Sequence, residues 1–335
     1  MYEEISPLLE RPTSIGLVEP AESVPADMEL IFLQCPLPSC EALAQALKAA
    51  IDEVGWNLRI ISTGGTPEEI KSAWAQAVRL APDGVIGITH DRLYFESELQ
   101  QLKAKDIPVL RLNVTDPAGN GVTGNILGRD AYEAAGMTIA KYALSRAGED
   151  LNAVAFTVGE VIPSLQVMAE SYKKTVEANC DSCTVEVVEL PSTSIGKDFP
   201  SRIASHLRRN PDVNWVEIGL SDFMVGLPAA LRSAGITPDQ VQFMGLGAYN
   251  TAANGYLAED DFLTAVLTAA SDEQMWRAVD FFIREFNGQD SSVSTDLSTW
   301  PTWIVTSETL PSSTETFPTV ADFKEQYRAL WGLAN

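Results

Sequence analysis

Basic side chains are scarce in this sequence of 335 residues. Lys and Arg together number 23 against 46 Asp and Glu, and the two His add no charge at pH 7, so the formal net charge is −23. A nucleic-acid-binding surface needs clustered Lys and Arg to displace the counterions of the phosphates. The shortage therefore argues against nucleic acid as a partner, and it disfavours anionic membrane surfaces.

Long apolar runs and catalytic motifs are also missing. No run reaches the roughly 18 apolar residues that a membrane-spanning helix requires, and residues 1–5 show neither a basic start nor the apolar core of a signal peptide. The sequence has no metal-ligand cluster, no GxSxG motif and no P-loop, so nothing is arranged for nucleophilic or metal chemistry. We therefore predict a binding protein rather than an enzyme, without a metal ion or cofactor.

The cysteines form two local pairs, Cys35 with Cys40 and Cys180 with Cys183. The two pairs lie in different halves of the chain, whereas a zinc site needs four ligands that converge. Two short-loop disulfides or free thiols are the alternatives, and disulfides would indicate an oxidising compartment.

Short apolar strands alternate with helical patterns in two series, at about residues 30–115 and 152–246. The clearest helix signal is Thr66-Pro-Glu-Glu69, a capping box with proline at the first helical position. The alternation predicts an α/β fold with two parallel sheets, each covered on both faces. Ligands bind outside the carboxyl ends of such strands. Helices are predicted at 41–54, 66–80, 129–147, 164–179, 199–209, 223–234, 271–287 and 320–331, and late strands at 262–268 and 303–306.

The chain resembles the type I periplasmic binding proteins, the solute-binding subunits of ABC importers, and especially their ribose-type sugar-binding group. The resemblance covers about residues 28–310 and rests on the order and spacing of segments such as 82–89, 106–110, 210–219 and 227–235. Residues 323–331 look like the tail of Gram-positive sugar-binding lipoproteins. The resemblance implies two Rossmann-like lobes with parallel sheets, joined by three hinge crossovers.

Lobe boundaries follow from the same resemblance. Residues 1–27 would form an extended lead-in, 28–114 plus 271–300 the N-terminal lobe, 115–270 plus 301–312 the C-terminal lobe, and 313–335 a tail helix. Hinges are expected near 113–115, 268–271 and 300–302. A ligand between the lobes would favour the closed form. The resemblance further implies an extracytoplasmic monomer that delivers a sugar or polyol to the transmembrane subunits of an ABC permease.

In the N-terminal lobe, the resemblance places ligand contacts in three loops. The first is the loop between Cys35 and Cys40, where Leu37 and Ser39 stand in place of the usual asparagine and aromatic residues. The second contains His90 and Asp91, and the carboxylate of Asp91 would accept hydrogen bonds from sugar hydroxyls. The third contributes Asn113 at the first hinge. The alternatives are a purely structural first loop, helix capping by Asp91 and a hinge role for Asn113.

In the C-terminal lobe, the expected contacts are Glu160, Gln166, Ser221 and Phe223. Gln166 lies near a position where the family often has an arginine that grips a sugar oxygen. Ser221 takes a ligand-facing asparagine position, while Phe223 is either a wall of the cleft or a core residue. Tyr249 and Trp300 are possible aromatic contacts.

Positions at which the sequence differs from the family pattern change the kind of ligand that is expected. The sugar-binding aspartate that usually ends the strand at 241–246 is absent, and Gly247 stands at that position. Hydroxyls that lose a partner carry a desolvation cost of roughly 1–3 kcal/mol each. The ligand is thus a smaller polyol, a less polar molecule such as an aromatic solute, or a sugar held by a different set of residues. A ligand-sensing receptor or repressor domain of the same fold is the other alternative.

Overall fold

The structure is a computed structural model that describes residues 2–36, 38–160, 162–247 and 251–333. The chain divides into two compact units. The N-unit comprises Thr13–Arg129, Ser271–Pro301 and Val320–Asn335, and the C-unit comprises Met1–Pro12, Asp130–Ala270 and Thr302–Thr319. The chain therefore changes unit after residues 12, 129, 270, 301 and 319.

The N-unit is built on a five-stranded parallel sheet with strand order β2-β1-β3-β4-β5. The strands are β1 (Glu29–Gln34), β2 (Asn57–Ser62), β3 (Gly84–Ile88), β4 (Val109–Leu112) and β5 (Gly124–Ile126). Alternate residues of β1 belong to two different apolar clusters. Leu30 and Phe32 pack in one, and Ile31 and Leu33 pack in the other. Since side chains alternate across a strand, both faces of the sheet are buried at β1, whereas the edge strand β2 is largely exposed.

The C-unit has a six-stranded sheet with strand order β11-β10-β9-β8-β6-β7. Its strands are β6 (Asn152–Thr157), β7 (Thr184–Glu189), β8 (Trp215–Leu220), β9 (Gln242–Gly247), β10 (Leu263–Thr268) and β11 (Ile304–Thr306). All pairings are parallel except that of β11, which runs antiparallel along the edge. The two predicted α/β sheets are thus confirmed.

Helices cover the sheets of both units. They are α1 (Tyr2–Ile5), α2 (Pro38–Val54), α3 (Pro67–Leu80), α4 (Glu96–Lys103), α5 (Arg129–Ala147), α6 (Pro163–Asn179), α7 (Phe199–Arg209), α8 (Leu227–Ser233), α9 (Thr251–Ala258), α10 (Ser271–Asn287), α11 (Ser292–Thr295) and α12 (Phe323–Leu330). The capping box of Thr66 and Glu69 is formed at the start of α3, as predicted. In the C-unit, Trp215 contacts Tyr142 of α5, and Phe156 of the opposite face contacts His206 of α7.

The segment 13–28 packs along the N-unit instead of standing free. Ile15 and Leu17 are buried, and the carbonyl of Ile15 accepts a hydrogen bond from Arg277 of α10 at 3.0 Å. The carbonyl of Glu19 accepts one from Arg284, also on α10, at 2.5 Å. Two buried arginines therefore hold an irregular segment whose own sequence has no repeating apolar period.

Asp280 is the anion at the centre of this buried arrangement. Its carboxylate accepts hydrogen bonds from Arg284 at 2.8 Å, from Ser294 at 2.6 Å and from the indole of Trp331 at 2.9 Å. Asp280 and Arg284 are both fully buried. One carboxylate thus ties α10 to the short helix α11 and to the residue that follows α12.

Asp280→Ala should destabilise the N-unit strongly, because it leaves Arg284 buried and charged without its anion. We expect a loss of about 3–5 kcal/mol in the free energy of unfolding, measured by urea denaturation followed by circular dichroism. The matched control is Asp52→Ala on α2, whose ion pair with Lys48 is exposed on both sides; its removal should change stability by less than about 0.5 kcal/mol. Equal losses in the two variants would contradict this account.

Candidate functional site

Both sheets contain the same kind of switch point. In the N-unit the chain order reverses between β1 and β3, and in the C-unit it reverses between β6 and β8. At such a point, the loops after two adjacent parallel strands leave in opposite directions and open a crevice at the carboxyl edge. The loops after β1 and β3 in the N-unit, and those after β6 and β8 in the C-unit, are therefore the candidate functional regions, and most of the predicted contact residues lie in them.

The loop after β1 is closed by the Cys35–Cys40 disulfide, with a Cα–Cα distance of 5.6 Å. The second predicted pair, Cys180 and Cys183, is also bonded. Leu37 and the side chain of Ser39 lie outside the described residues. The disulfide joins the end of β1 to the first turn of α2 and so limits the conformations that this loop can adopt.

The loop after β3 presents His90 and Asp91. The His90 ring is partly buried, with Nε2 at 3.3 Å from the hydroxyl of Thr63 in the loop after β2. Burial, and then the charge of Arg111, lower the pKa of His90 to about 4, so the imidazole is neutral at pH 7. Asp91 is exposed, and its carboxylate accepts a hydrogen bond from the backbone N–H of Leu93 at 2.9 Å. Asp91 therefore caps a short 3-10 helix, which was the structural alternative.

Sequence reasoning missed Arg111, which lies within β4 and supports the loop after β3. The guanidinium is buried, pairs with Asp116 and donates to the carbonyl of His90. Burial lowers the pKa of Arg111, and Asp116 opposes that effect. The sequence signal that could have identified Arg111 is the presence of an arginine in an otherwise apolar strand. Asn113, two residues later, has φ +55, and its N–H donates to Ile126 at 3.1 Å.

In the C-unit, the loop after β6 and the start of α6 carry several polar side chains. Glu160 is exposed, and its backbone N–H donates to Glu189 at the end of β7 at 3.0 Å. Gln166 of α6 is partly exposed and donates from Nε2 to Glu170 at 2.9 Å. This hydrogen bond uses one amide donor of Gln166 and orients its side chain.

The loop after β8 contains Ser221 and Phe223 in a 3-10 helix over Ser221–Met224. Ser221 is fully buried, and its hydroxyl has no hydrogen-bond partner in the described part of the chain. Phe223 is partly exposed and packs on Phe199 of α7, with ring centroids 4.7 Å apart. Packing on Phe199 accounts for part of the ring, and a role for Phe223 as a wall of the cleft stays a prediction.

Tyr249 and Trp300 are the two remaining predicted contacts. Tyr249 lies outside the described residues. Trp300 does not follow a strand; its ring packs against the apolar cluster of the N-unit, with the guanidinium of Arg277 at 4.6 Å from its centroid.

Glu217 is a further residue that sequence reasoning missed. It lies in the middle of β8 and is fully buried. Burial raises its pKa to about 8, and the hydrogen bond from Gly219 N–H opposes this only in part. The acid is therefore mostly protonated at pH 7. Tyr172 of α6 is close enough for the charged carboxylate to raise the pKa of its phenol further above that set by burial.

The described residues provide neither a cluster of metal ligands nor a helix that could span a membrane. No group of three or more His, Cys, Asp or Glu side chains there is placed to hold a metal ion. None of the described helices is both long and apolar enough to cross a membrane.

The fold has many counterparts among solved structures, although no family model and no curated protein matches the sequence. A glucose-galactose binding protein, GanP of Geobacillus stearothermophilus, has a TM-score of 0.71 at 16% identity over 86% of this chain and 100% of that chain. An ABC transporter solute-binding protein from Agrobacterium vitis with bound allitol has a TM-score of 0.70 at 14% identity, over 85% and 97%. A periplasmic solute-binding protein from Actinobacillus succinogenes 130z with bound D-allose has a TM-score of 0.70 at 15% identity, over 84% and 98%. The type I periplasmic binding protein fold expected from the resemblance is confirmed, and each of these three is a binding protein by its description.

Glu217 should give the protein a pH-dependent stability. A pKa raised on folding means that the contribution of Glu217 is fully present below about pH 4.5, where the unfolded acid is protonated, and is lost as the pH rises through about 8. Wild-type protein should lose up to about 1.4 kcal/mol per pH unit within this window relative to Glu217→Gln. Urea denaturation of both proteins between pH 5 and 9 measures the difference, which isolates Glu217 from the other titrating groups. Parallel stability curves for the two proteins would contradict the assignment.

Proposed function

We propose that this protein is an extracytoplasmic solute-binding subunit of an ABC importer, and that it binds a small neutral carbohydrate-like molecule or polyol without changing it chemically. The observation that carries the proposal is the matching switch point in each sheet, with polar residues in the loops that flank it. The printed names of similar structures, which include glucose-galactose, allitol and D-allose binding, support this class of solute.

The side chains in the four loops suit hydroxyl groups. Asp91 supplies an exposed carboxylate that accepts hydrogen bonds, and the neutral ring of His90 can donate from one nitrogen and accept at the other. Gln166 offers both an amide donor and an acceptor. This mixture recognises a neutral polyol, whose hydroxyls both donate and accept, better than it recognises an anion.

We propose that a solute contacts loops of both units and thereby favours a closed arrangement. The proposed hinges are at residues 268–271, at 300–302 and near residue 129; the third replaces 113–115, because β5 pairs with β4 and keeps that stretch inside the N-unit. We further propose that the closed monomer is the form that docks on the transmembrane subunits of the permease. Small-angle X-ray scattering with and without solute should show a smaller radius of gyration when solute is bound.

A less polar, aromatic solute is the second candidate. Four large apolar side chains are exposed in segments that follow the carboxyl ends of strands, namely Leu93, Tyr94, Ile195 and Val225. A Cβ at Gly247, where the related sugar binders carry an aspartate, would lie 2.4 Å from the Cβ of Val266. The close packing of β9 on β10 therefore leaves no room for that aspartate.

Thermal unfolding with a panel of solutes distinguishes the two candidates. The panel contains D-glucose, D-galactose, D-allose, D-xylose, allitol, benzoate and 4-hydroxybenzoate. A ligand at about 100 times its dissociation constant adds about 2.7 kcal/mol of stability, which gives a clear rise in melting temperature. We expect the rise with a sugar or polyol. A rise with the aromatic acids alone would favour the second candidate, and chemical conversion of a bound compound would overturn the binding-protein assignment.

Asp91→Asn tests the predicted hydroxyl acceptor without removing the cap. Asparagine keeps an oxygen for the N–H of Leu93, so the melting temperature should not change. Replacing the charged acceptor should weaken binding of the active sugar or polyol by about 1.5–3 kcal/mol, measured by isothermal titration calorimetry.

The matched control for this variant is Asp52→Asn, an exposed carboxylate near the opposite end of α2 from the candidate loops. It removes the same charge and should leave affinity unchanged. Equal affinities of the two variants and the wild type would show that Asp91 acts only as a cap.

A further inference from the structure

The strand β8 is irregular just before the loop that carries Ser221. Against β9, Glu217 pairs with Met244 whereas Leu220 pairs with Leu246, so three steps along β8 match two steps along β9. One extra residue in a strand makes a β-bulge and leaves backbone groups without ladder partners. Gly219 lies within this bulge at φ +71, a left-handed conformation that side chains disfavour.

The side chain of Glu217 supplies a partner for the bulge. Its Oε1 accepts the N–H of Gly219 at 2.6 Å, in a position where the whole side chain is buried. An unpaired buried N–H is costly, and this hydrogen bond satisfies the N–H of Gly219 and one of the two carboxyl oxygens, while Oε2 has no partner among the described residues. The carboxyl therefore explains how the bulge is tolerated inside the sheet.

The bulge sets which face of the sheet the side chains after Gly219 point to. In a regular strand, Leu220 would point to the opposite face from Glu217, because the two are three residues apart. The extra residue instead aligns Leu220 with Leu246, which shares a face with Met244 and hence with Glu217. Everything after Gly219 is thus shifted by one position relative to a regular strand, including Ser221 and Phe223.

The surroundings of Glu217 determine which other groups can titrate with it. The strands beside it contribute Ala155 from β6 and Met244 from β9, neither of which titrates. Tyr172 of α6 interacts with the carboxyl electrostatically, and α5 contributes Tyr142 through its contact with Trp215. Among the described residues, Tyr172 is therefore the titrating side chain whose interaction with the acid is established.

We infer that Glu217 is a positioning residue for solute binding: by accepting the N–H of Gly219 it holds the β8 bulge, and the bulge sets where Ser221 and Phe223 stand. The inference rests on the proposed function, because it assumes that the loop after β8 contacts solute. In its protonated form the acid keeps Oε1 as an acceptor without burying a charge. Deprotonation would strengthen the hydrogen bond from the N–H of Gly219 but would place an unneutralised charge in the sheet.

Two variants separate this role from simple packing. Glu217→Gln keeps an acceptor oxygen and the shape of the side chain but cannot titrate. Glu217→Met keeps the length and loses the acceptor. Amide hydrogen exchange of residues 215–224 by mass spectrometry, expressed as protection relative to the unstructured peptide, reports on the bulge without any ligand.

At pH 7 we expect the Gln variant to match the wild type and the Met variant to lose about tenfold or more in protection and in affinity, a change equal to about 1.4 kcal/mol. In the wild type at pH 7 the N–H of Gly219, measured by NMR, should exchange slowly because it is hydrogen-bonded to Oε1 of Glu217. Fast exchange of this N–H would overturn the inference even where the Met variant does not fold. Equal protection and affinity in the wild type and the Met variant would overturn it as well.

Affinity is measured with D-glucose, D-galactose, D-allose and allitol by isothermal titration calorimetry. The proposed function is contradicted if the wild type binds none of these four solutes and neither of the two aromatic acids. The exchange experiment still decides whether Glu217 holds the bulge. Loss of protection without loss of affinity in the Met variant would overturn the positioning role while leaving the proposed function intact.

Discussion

Burial of both faces of each parallel sheet is the constraint on which the rest of the structure depends. A strand covered on both sides is mostly apolar, apart from single buried charges such as Arg111 and Glu217, so most polar side chains lie in the loops at its ends. The strand orders β2-β1-β3 and β7-β6-β8 then leave one crevice at the carboxyl edge of each sheet. The loops containing His90, Asp91, Glu160 and Ser221 are polar because they lie at these edges, and the Cys35–Cys40 disulfide closes one of them.

Four of the charged groups buried inside the units have specific backbone or side-chain partners. Asp280 joins α10 to α11 and Trp331, and Arg284 reaches a carbonyl of the segment 13–28. Arg111 holds the carbonyl of His90, and Glu217 holds the N–H of Gly219. Buried ion pairs and polar groups are weak sources of stability but strong determinants of geometry, because removing one partner leaves the other unpaired. In the last two cases the geometry that is held belongs to the candidate site.

Much of this fold could be read from the sequence, since strand and helix periods, the capping box at Thr66 and the alternation of elements are local signals. Other features were not predicted: the three-residue strand β5 and the polar helix α4 have little apolar pattern. The packing of the segment 13–28 depends on arginines more than 250 residues away. The bulge in β8 depends on a register with β9 that no local pattern encodes. Arg111 and Glu217 were visible as single charges in apolar strands, which indicated a buried polar role without showing its partner.

Amide chemical shifts in a titration with D-glucose, D-galactose, D-allose and allitol test the central claim most directly. The account predicts that one of these solutes shifts resonances in the loops after β1, β3, β6 and β8, with little change at the amino ends of the strands. Shifts confined to other surfaces, or none with any of the four solutes, would contradict it.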